Sequence, residues 1–161
     1  MPFRNQYSAP PALGPLLLQA LAAASVGLSV EGPRVATELH PPPALLQLSP
    51  GTTFAVQAGF ALIDTGASAT VVDEAALKAL GVQPIGVTQV LTPSGSQQQL
   101  VYPAELAFPG NNLPRTTFAM VIGSPHLAAQ GLLALIGRDV LQRALLIYNG
   151  PSGVFTLAFN P

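Results

Sequence analysis

Short apolar runs, separated by clusters of turn-forming residues, recur along this chain. Most runs are shorter than the roughly 10–12 residues of a typical helix, and several alternate apolar with polar or small side chains, which favours strands. Every second residue from Phe54 to Phe60 is apolar, so segment 52–63 predicts a long strand or hairpin that runs into Asp64. A similar alternation over 26–30 predicts an earlier strand.

The later apolar runs predict further strands, at residues 69–72, 87–91, 100–108, 116–122, 132–136, 145–148 and 154–159. Two pairs of these runs are interpreted as hairpins, because the turn-rich segment 92–96 is Thr-Pro-Ser-Gly-Ser and an Asn-Gly turn opens 149–153. The prolines at 41–43 predict a loop, since Pro removes a hydrogen-bond donor and fixes φ.

Two short helices interrupt the predicted strands. Asp73 suits the N-cap of a helix over 74–80, and Gly81 suits its C-terminal end. Segment 137–139 opens a second helix that ends near Arg143. The sequence therefore predicts a mainly β fold with one or two short helices, arranged as a closed or partly closed barrel.

The N-terminal residues differ in composition from the rest of the chain. Residues 1–15 are rich in Pro, and an apolar stretch occupies 13–30. We interpret 1–24 as an arm with a short helix over 16–24, and 25–161 as a single domain. A cytoplasmic location is expected, with export by an N-terminal signal as the alternative that the apolar stretch allows. Breaks in the stretch argue against a stable membrane span, which needs about 20 apolar residues.

Composition narrows the classes of function. Of the 161 residues, 8% are charged, against a typical value of about 25%. So few charges suggest that part of the surface is buried between copies of the chain. With six Lys and Arg and a net charge of −1, the chain lacks the basic patch that nucleic acid requires. The sequence has no Cys, and His40 and His126 show no metal spacing, so no metal or cofactor is expected.

One segment carries the clearest chemical signal. The apolar run before Asp64 delivers its carboxylate into a turn formed by Thr65 and Gly66. Gly66 allows a tight turn and a close backbone approach. An acid held at the end of a buried strand is desolvated and hydrogen-bonded, which tunes a carboxyl group for acid–base chemistry. A purely structural turn acid is the alternative.

A second apolar run, 133–136, ends in Gly137-Arg138-Asp139. Taken alone, this segment could be an ordinary helix start. The Asp-Thr-Gly-Ala loop followed by this segment resembles the retropepsins, the retroviral-type aspartic proteases, over about residues 52 to 159. The resemblance implies Asp64 as the catalytic residue. It implies an active-site loop that continues through Thr65, Gly66 and Ala67. It implies a flap made of Thr92, Pro93, Ser94, Gly95 and Ser96. It also implies a supporting segment made of Ile136, Gly137, Arg138 and Asp139.

The resemblance implies an aspartic endopeptidase that needs no cofactor and binds peptides in extended form. Because the chain contains one Asp-Thr-Gly, the second carboxyl would come from another copy in a homodimer. Ala67 replaces the Ser of pepsin-like enzymes, whose hydroxyl favours the charged carboxylate, so we expect activity at mildly acidic pH. The chain resembles stand-alone, bacterial-type members, since no adjoining viral region is present.

Two departures from the family pattern leave an alternative open. Ser68 stands where retroviral enzymes have the acid that pairs with the supporting arginine, so Arg138 is expected to find Asp73 or its own helix terminus instead. The flap tip has Gly95 but lacks the usual run of glycines. The alternative function is an inactive peptide-binding or assembly module with the same fold.

Overall fold

The structure is a computed structural model that describes residues 17–21, 28, 30–92, 95–110 and 115–159. Its strands are β1 (Leu17–Leu21), β2 (Arg34–His40), β3 (Gln57–Ile63), β4 (Val71–Asp73), β5 (Gly86–Thr92), β6 (Gly95–Ala107), β7 (Thr116–Ser124), β8 (Ala134–Ile136), β9 (Ala144–Asn149) and β10 (Val154–Phe159). The helices between them are α1 (Pro43–Leu48), α2 (Glu74–Ala79), α3 (Arg138–Leu141) and a 3₁₀ turn (Ala128–Gln130).

The strands form two sheets. A seven-stranded sheet has the order β2-β3-β8-β4-β7-β6-β5, and an additional pairing joins β2 at one end to β6, the strand next to the other end. A three-stranded sheet has the order β1-β10-β9. Within the large sheet β3 runs parallel to β8 and β4 runs parallel to β7. The predicted mainly β fold is confirmed.

One hydrophobic core joins the two sheets. Alternate residues of β2 point inward, with Val35 and Leu39 buried. The inner residues of β10, Phe155 and Leu157, pack into the same cluster as Ile136 of β8. Each strand of this core thus buries one face, which is why its sequence alternates.

Tyr102 of β6 is the largest fully buried side chain. Its hydroxyl donates to Glu74 Oε1 at 3.0 Å, and the Lys78 ammonium lies 2.6 Å from the same oxygen. The hydrogen bond from Lys78 lowers the pKa of Glu74. Burial, helped by the bond to Glu74, raises the pKa of Tyr102 to about 12. Gly123 lies against the tyrosine ring, where an added Cβ would come within 2.5 Å of Cε2.

The predicted helix after Asp73 is confirmed. Asp73 Oδ1 accepts a hydrogen bond from Ala76 N at 3.0 Å, which is the N-cap contact, and Gly81 ends the segment with a φ of 76°. The two predicted hairpins are also present, formed by β5 with β6 and by β9 with β10.

Four predictions need correction. Leu28 and Val30 are helical rather than in a strand, and residues 52–56 precede the strand rather than belonging to it. Pro43, the last residue of the loop predicted at 41–43, instead begins α1, because a proline fits the first turn of a helix, where no amide donor is needed. Residues 17–21 form β1 rather than a helix, because pairing satisfies the backbone groups of β10. The rest of the predicted helix over 16–24 lies outside the described residues.

No helix in the described part of the chain is long and apolar enough to cross a bilayer.

Candidate active site

The Asp64 loop and the supporting segment leave the large sheet side by side. Strands β3 and β8 are adjacent and parallel, with Ile63 paired to Ile136, so the chain exits both strands at the same edge. The Asp64 amide donates to the Ile136 carbonyl at 3.0 Å. This register brings the predicted catalytic loop next to Gly137, although the two are separated by more than seventy residues.

Asp64 is half-buried, and its carboxylate is held by the turn that follows it. The amides of Gly66 and Ala67 donate to Oδ1 at 2.8 and 3.3 Å. A Cβ at Gly66 would lie 3.1 Å from Oδ1, so glycine permits this close approach. Among the described residues, none of the hydrogen bonds found goes to Oδ2. One carboxylate oxygen is therefore fixed, while the other is available to a water or a substrate.

Arg138, the first residue of α3, binds this loop directly. Its Nη1 donates to the carbonyl oxygens of Thr65 and Gly66, each at 2.8 Å. The expected partners of Arg138, Asp73 or the helix's own terminus, are therefore wrong. Backbone carbonyls take the place of the missing acid, since Ser68 carries no charge and is exposed.

Asp73 is the predicted N-cap of α2 and not a partner of Arg138. Besides capping α2, its Oδ2 accepts the Ala128 amide at 3.1 Å and so holds the 3₁₀ turn. These contacts keep Asp73 away from Arg138.

Asp139 holds the C-terminal end of the Asp64 loop by binding Thr70. Its carboxylate accepts the Thr70 amide at 2.9 Å and the Thr70 hydroxyl at 2.8 Å. The hydroxyl oxygen in turn accepts the Gly137 amide at 3.2 Å. Thr70 is fully buried, and no feature of the sequence singled it out. The sequence feature that could have pointed to Thr70 is its hydroxyl at the start of a buried strand, where a polar group requires a hydrogen-bond partner.

Gly137 itself lets the two segments touch. An added Cβ would fall 2.5 Å from the Ala69 carbonyl carbon, and the amide of Arg138 donates to the Ala67 carbonyl at 3.0 Å. A side chain at this position would push the loop away from α3.

The predicted flap residues that the structure describes, Thr92, Gly95 and Ser96, lie at the tip of the β5–β6 hairpin. Thr92 pairs with Gly95 across the hairpin, and the Thr92 hydroxyl donates to the Gly95 carbonyl at 2.9 Å. Ser96 follows in β6 and is exposed. Pro93 and Ser94 lie outside the described residues.

Over the described ranges, no cluster of three or more His, Asp or Glu side chains has the grouping of a metal site.

Comparison with known proteins finds a distant structural similarity. No protein-family model and no curated protein matches the chain. Among solved structures, the chain is similar to the simian foamy virus (mac) protease, at 22% identity and a TM-score of 0.42. The match covers 68% of this chain and 92% of the viral one. A likeness this distant assigns no activity, dimer or site residue to the chain.

Proposed function

We propose that this protein is an aspartic-type endopeptidase that works as a homodimer. The observation that carries the proposal is the state of Asp64, a half-buried carboxylate with Oδ1 fixed by two amides and with no hydrogen bond to Oδ2 from the residues that the structure describes. Four further hydrogen bonds hold the loop to Arg138 and Asp139 of α3 and so fix the position of this carboxylate.

The proposed reaction needs two such carboxyls sharing one proton, as aspartic-protease dyads in general do. One Asp64, in its charged form, takes a proton from a water as that water attacks the scissile carbonyl carbon. The other, in its protonated form, donates its proton to the carbonyl oxygen. The tetrahedral intermediate then collapses with protonation of the leaving nitrogen, which yields a carboxylic acid and an amine. The chain supplies one Asp-Thr-Gly, so the second carboxyl belongs to a second copy.

The C-terminal hairpin is the surface best suited to that second copy. No charged residue follows Arg143 in the sequence, so β9 and β10 carry none. Strand β9 ends its sheet, and within the described part of the chain it pairs with β10 alone. Leu145 and Ile147 on β9 are 40% and 52% exposed. An apolar edge strand without Lys or Pro invites pairing with another edge, and two β9 strands can pair antiparallel across a two-fold axis.

A row of aliphatic side chains beside Asp64 supports an apolar substrate. Leu62 shares its face of β3 with Asp64, and the pairing register continues the row through Leu135, Val71 and Ile122. All four side chains are half-buried, in contrast to the buried inner faces of the same strands. We propose that an extended peptide lies along this row and that aliphatic or aromatic residues flank the bond that is cut.

A digest of a mixed peptide library between pH 4 and 7 tests the proposal. The wild type is expected to cut with a mildly acidic optimum and to be blocked by pepstatin, whereas Asp64→Ala is expected to be inactive. Sedimentation of both proteins checks that the variant still dimerises. A wild-type dimer that binds peptides without cutting them would instead indicate the inactive binding module.

A further inference from the structure

We propose that Arg138 sets the acidity of the catalytic carboxyl by acting through two peptide groups of the active-site loop. The inference rests on the proposed function, since it concerns the same carboxyl. It makes Arg138 a positioning residue, because its guanidinium contacts the loop and not the reacting atoms.

Two peptide units connect Arg138 to Asp64. The carbonyl of Thr65 and the amide of Gly66 belong to one planar unit, and the carbonyl of Gly66 and the amide of Ala67 belong to the next. Arg138 Nη1 donates to both carbonyl oxygens, and both amides donate to Asp64 Oδ1. Each unit is therefore bonded to a cation at one end and to the carboxylate at the other.

This arrangement strengthens the amides as donors. A positive charge on a peptide oxygen polarises the unit and makes its N–H more positive, and hydrogen bonds in such a chain reinforce one another. Bonds to ionised groups are also stronger than neutral ones. The charged form of the Asp64 carboxylate gains from both effects, while the protonated form gains little.

Within the described part of the chain, Arg138 forms no ion pair. Ser68, at the position of the usual acid, is uncharged, and the Asp139 carboxylate is occupied by Thr70 and by the Val140 amide. Strands β3 and β8, which flank the loop, contain no charged residue. The charged groups of the described chain beside the Asp64 loop include Arg138 and Asp139 of α3 and Arg34 of β2, which pairs with Leu62 and is held by Glu31. The proposed dimer adds the other Asp64. The side chain of Ala67 has no hydroxyl to donate to the carboxylate, so the polarised amides of Gly66 and Ala67 supply the hydrogen bonds that favour its charged form.

The test is the position of the acidic limb of the pH–rate profile for peptide cleavage. Loss of the cation makes the charged carboxylate less favourable, so we expect Arg138→Gln to move this limb toward neutral pH by a few tenths to about one pH unit. Arg138→Lys keeps a charge but loses the planar fork, so its limb should fall between those of the wild type and Arg138→Gln. Arg143→Gln removes an equal charge just beyond α3 and should leave the limb unchanged.

Each profile is normalised to its own maximum, so that a lower active fraction does not move the limb. If Arg138→Gln does not fold, the comparison of Arg138→Lys with the wild type still decides the matter. The inference would be overturned if the acidic limbs of both Arg138 variants coincided with that of the wild type. It would also be overturned if Arg143→Gln moved its limb as far as Arg138→Gln does. Failure of the proposed function would look different, because the wild type itself would then cut nothing.

Discussion

At the scale of single residues, the loop around Asp64 is held from both sides by neighbouring residues of one short helix. Arg138 binds the loop's carbonyls, and Asp139 binds the amide and hydroxyl of Thr70. The two contacts bracket Ser68, so the loop is fixed without the ion pair that an acid there would make. Precise geometry of this kind is what acid–base chemistry on a carboxyl demands.

Replacement of Thr70 by Val keeps the shape of the side chain and removes its hydroxyl. Asp139 and the Gly137 amide would each lose a buried partner. We expect the free energy of unfolding to fall by about 1–3 kcal/mol in a urea titration. Thr53→Val, at an exposed position, is the matched control and should change it by less than about 0.5 kcal/mol. Equal stability of the two variants would contradict the role given to Thr70.

The buried Tyr102 predicts a loss of stability in alkali. Its pKa is raised to about 12 in the folded protein, against 10.0 for the free group. Between these values the unfolded chain loses the phenolic proton while the folded chain keeps it, so stability falls as the pH rises. Unfolding free energies at pH 8 and 11 should differ less in Tyr102→Phe than in the wild type. Tyr148→Phe, which changes a half-exposed tyrosine, should retain most of the wild-type difference, and a full alkaline loss in Tyr102→Phe would refute the assignment.

At the scale of elements, the β9 edge is the feature on which dimer formation is proposed to depend. Ile147→Lys places a charge on the exposed face of this strand, a device by which natural edge strands avoid pairing. We expect the dimer dissociation constant to rise tenfold or more in sedimentation experiments, with peptide cleavage lost in parallel. Ile85→Lys, at a 60% exposed site outside the hairpin, should leave both unchanged. A dimer that tolerates Ile147→Lys would place the contact elsewhere.

The strands and helices also show which parts of the fold the sequence pattern could predict. Hairpins and the Asp73-capped helix were predictable, because their turn and cap residues lie within a few positions of each other. Strand β2 was missed, although buried Val35, Thr37 and Leu39 alternate along it. The strand was overlooked because Arg34, Glu38 and His40 lie among the alternating residues and make the segment look polar. Helix α1 was missed because a run of prolines suggests a loop, whereas Pro43 is compatible with the first helical turn.

The partners of Arg138 could not have been predicted for a different reason. Its bonds go to backbone carbonyls more than seventy residues away, and a carbonyl is present at every residue. Nothing in the side chains of Thr65 or Gly66 marks them as acceptors. Thr70 and Asp139 likewise meet because β4, which follows Thr70, pairs with β8, which precedes Asp139. The candidate loop can thus be identified from the sequence, but the hydrogen bonds that hold it depend on how the strands are paired.

At the scale of the whole molecule, charge is distributed unevenly between the two sheets. The large sheet includes Arg34, Glu38 and Glu105, whereas the small sheet of β1, β10 and β9 has no charged residue. A surface without charge is costly to leave in water and is suited to contact with a like surface. One chain with one Asp-Thr-Gly and one such sheet is half of the assembly that the proposed chemistry requires.

The most direct test of this account is cleavage of a mixed peptide library by the wild type and by Asp64→Ala, each at matched dimer concentration. We predict fragments from the wild type between pH 4 and 7, suppressed by pepstatin, and none from Asp64→Ala. Wild-type protein that dimerises and cuts nothing, or an Asp64→Ala variant that cuts as well as the wild type, would contradict the account.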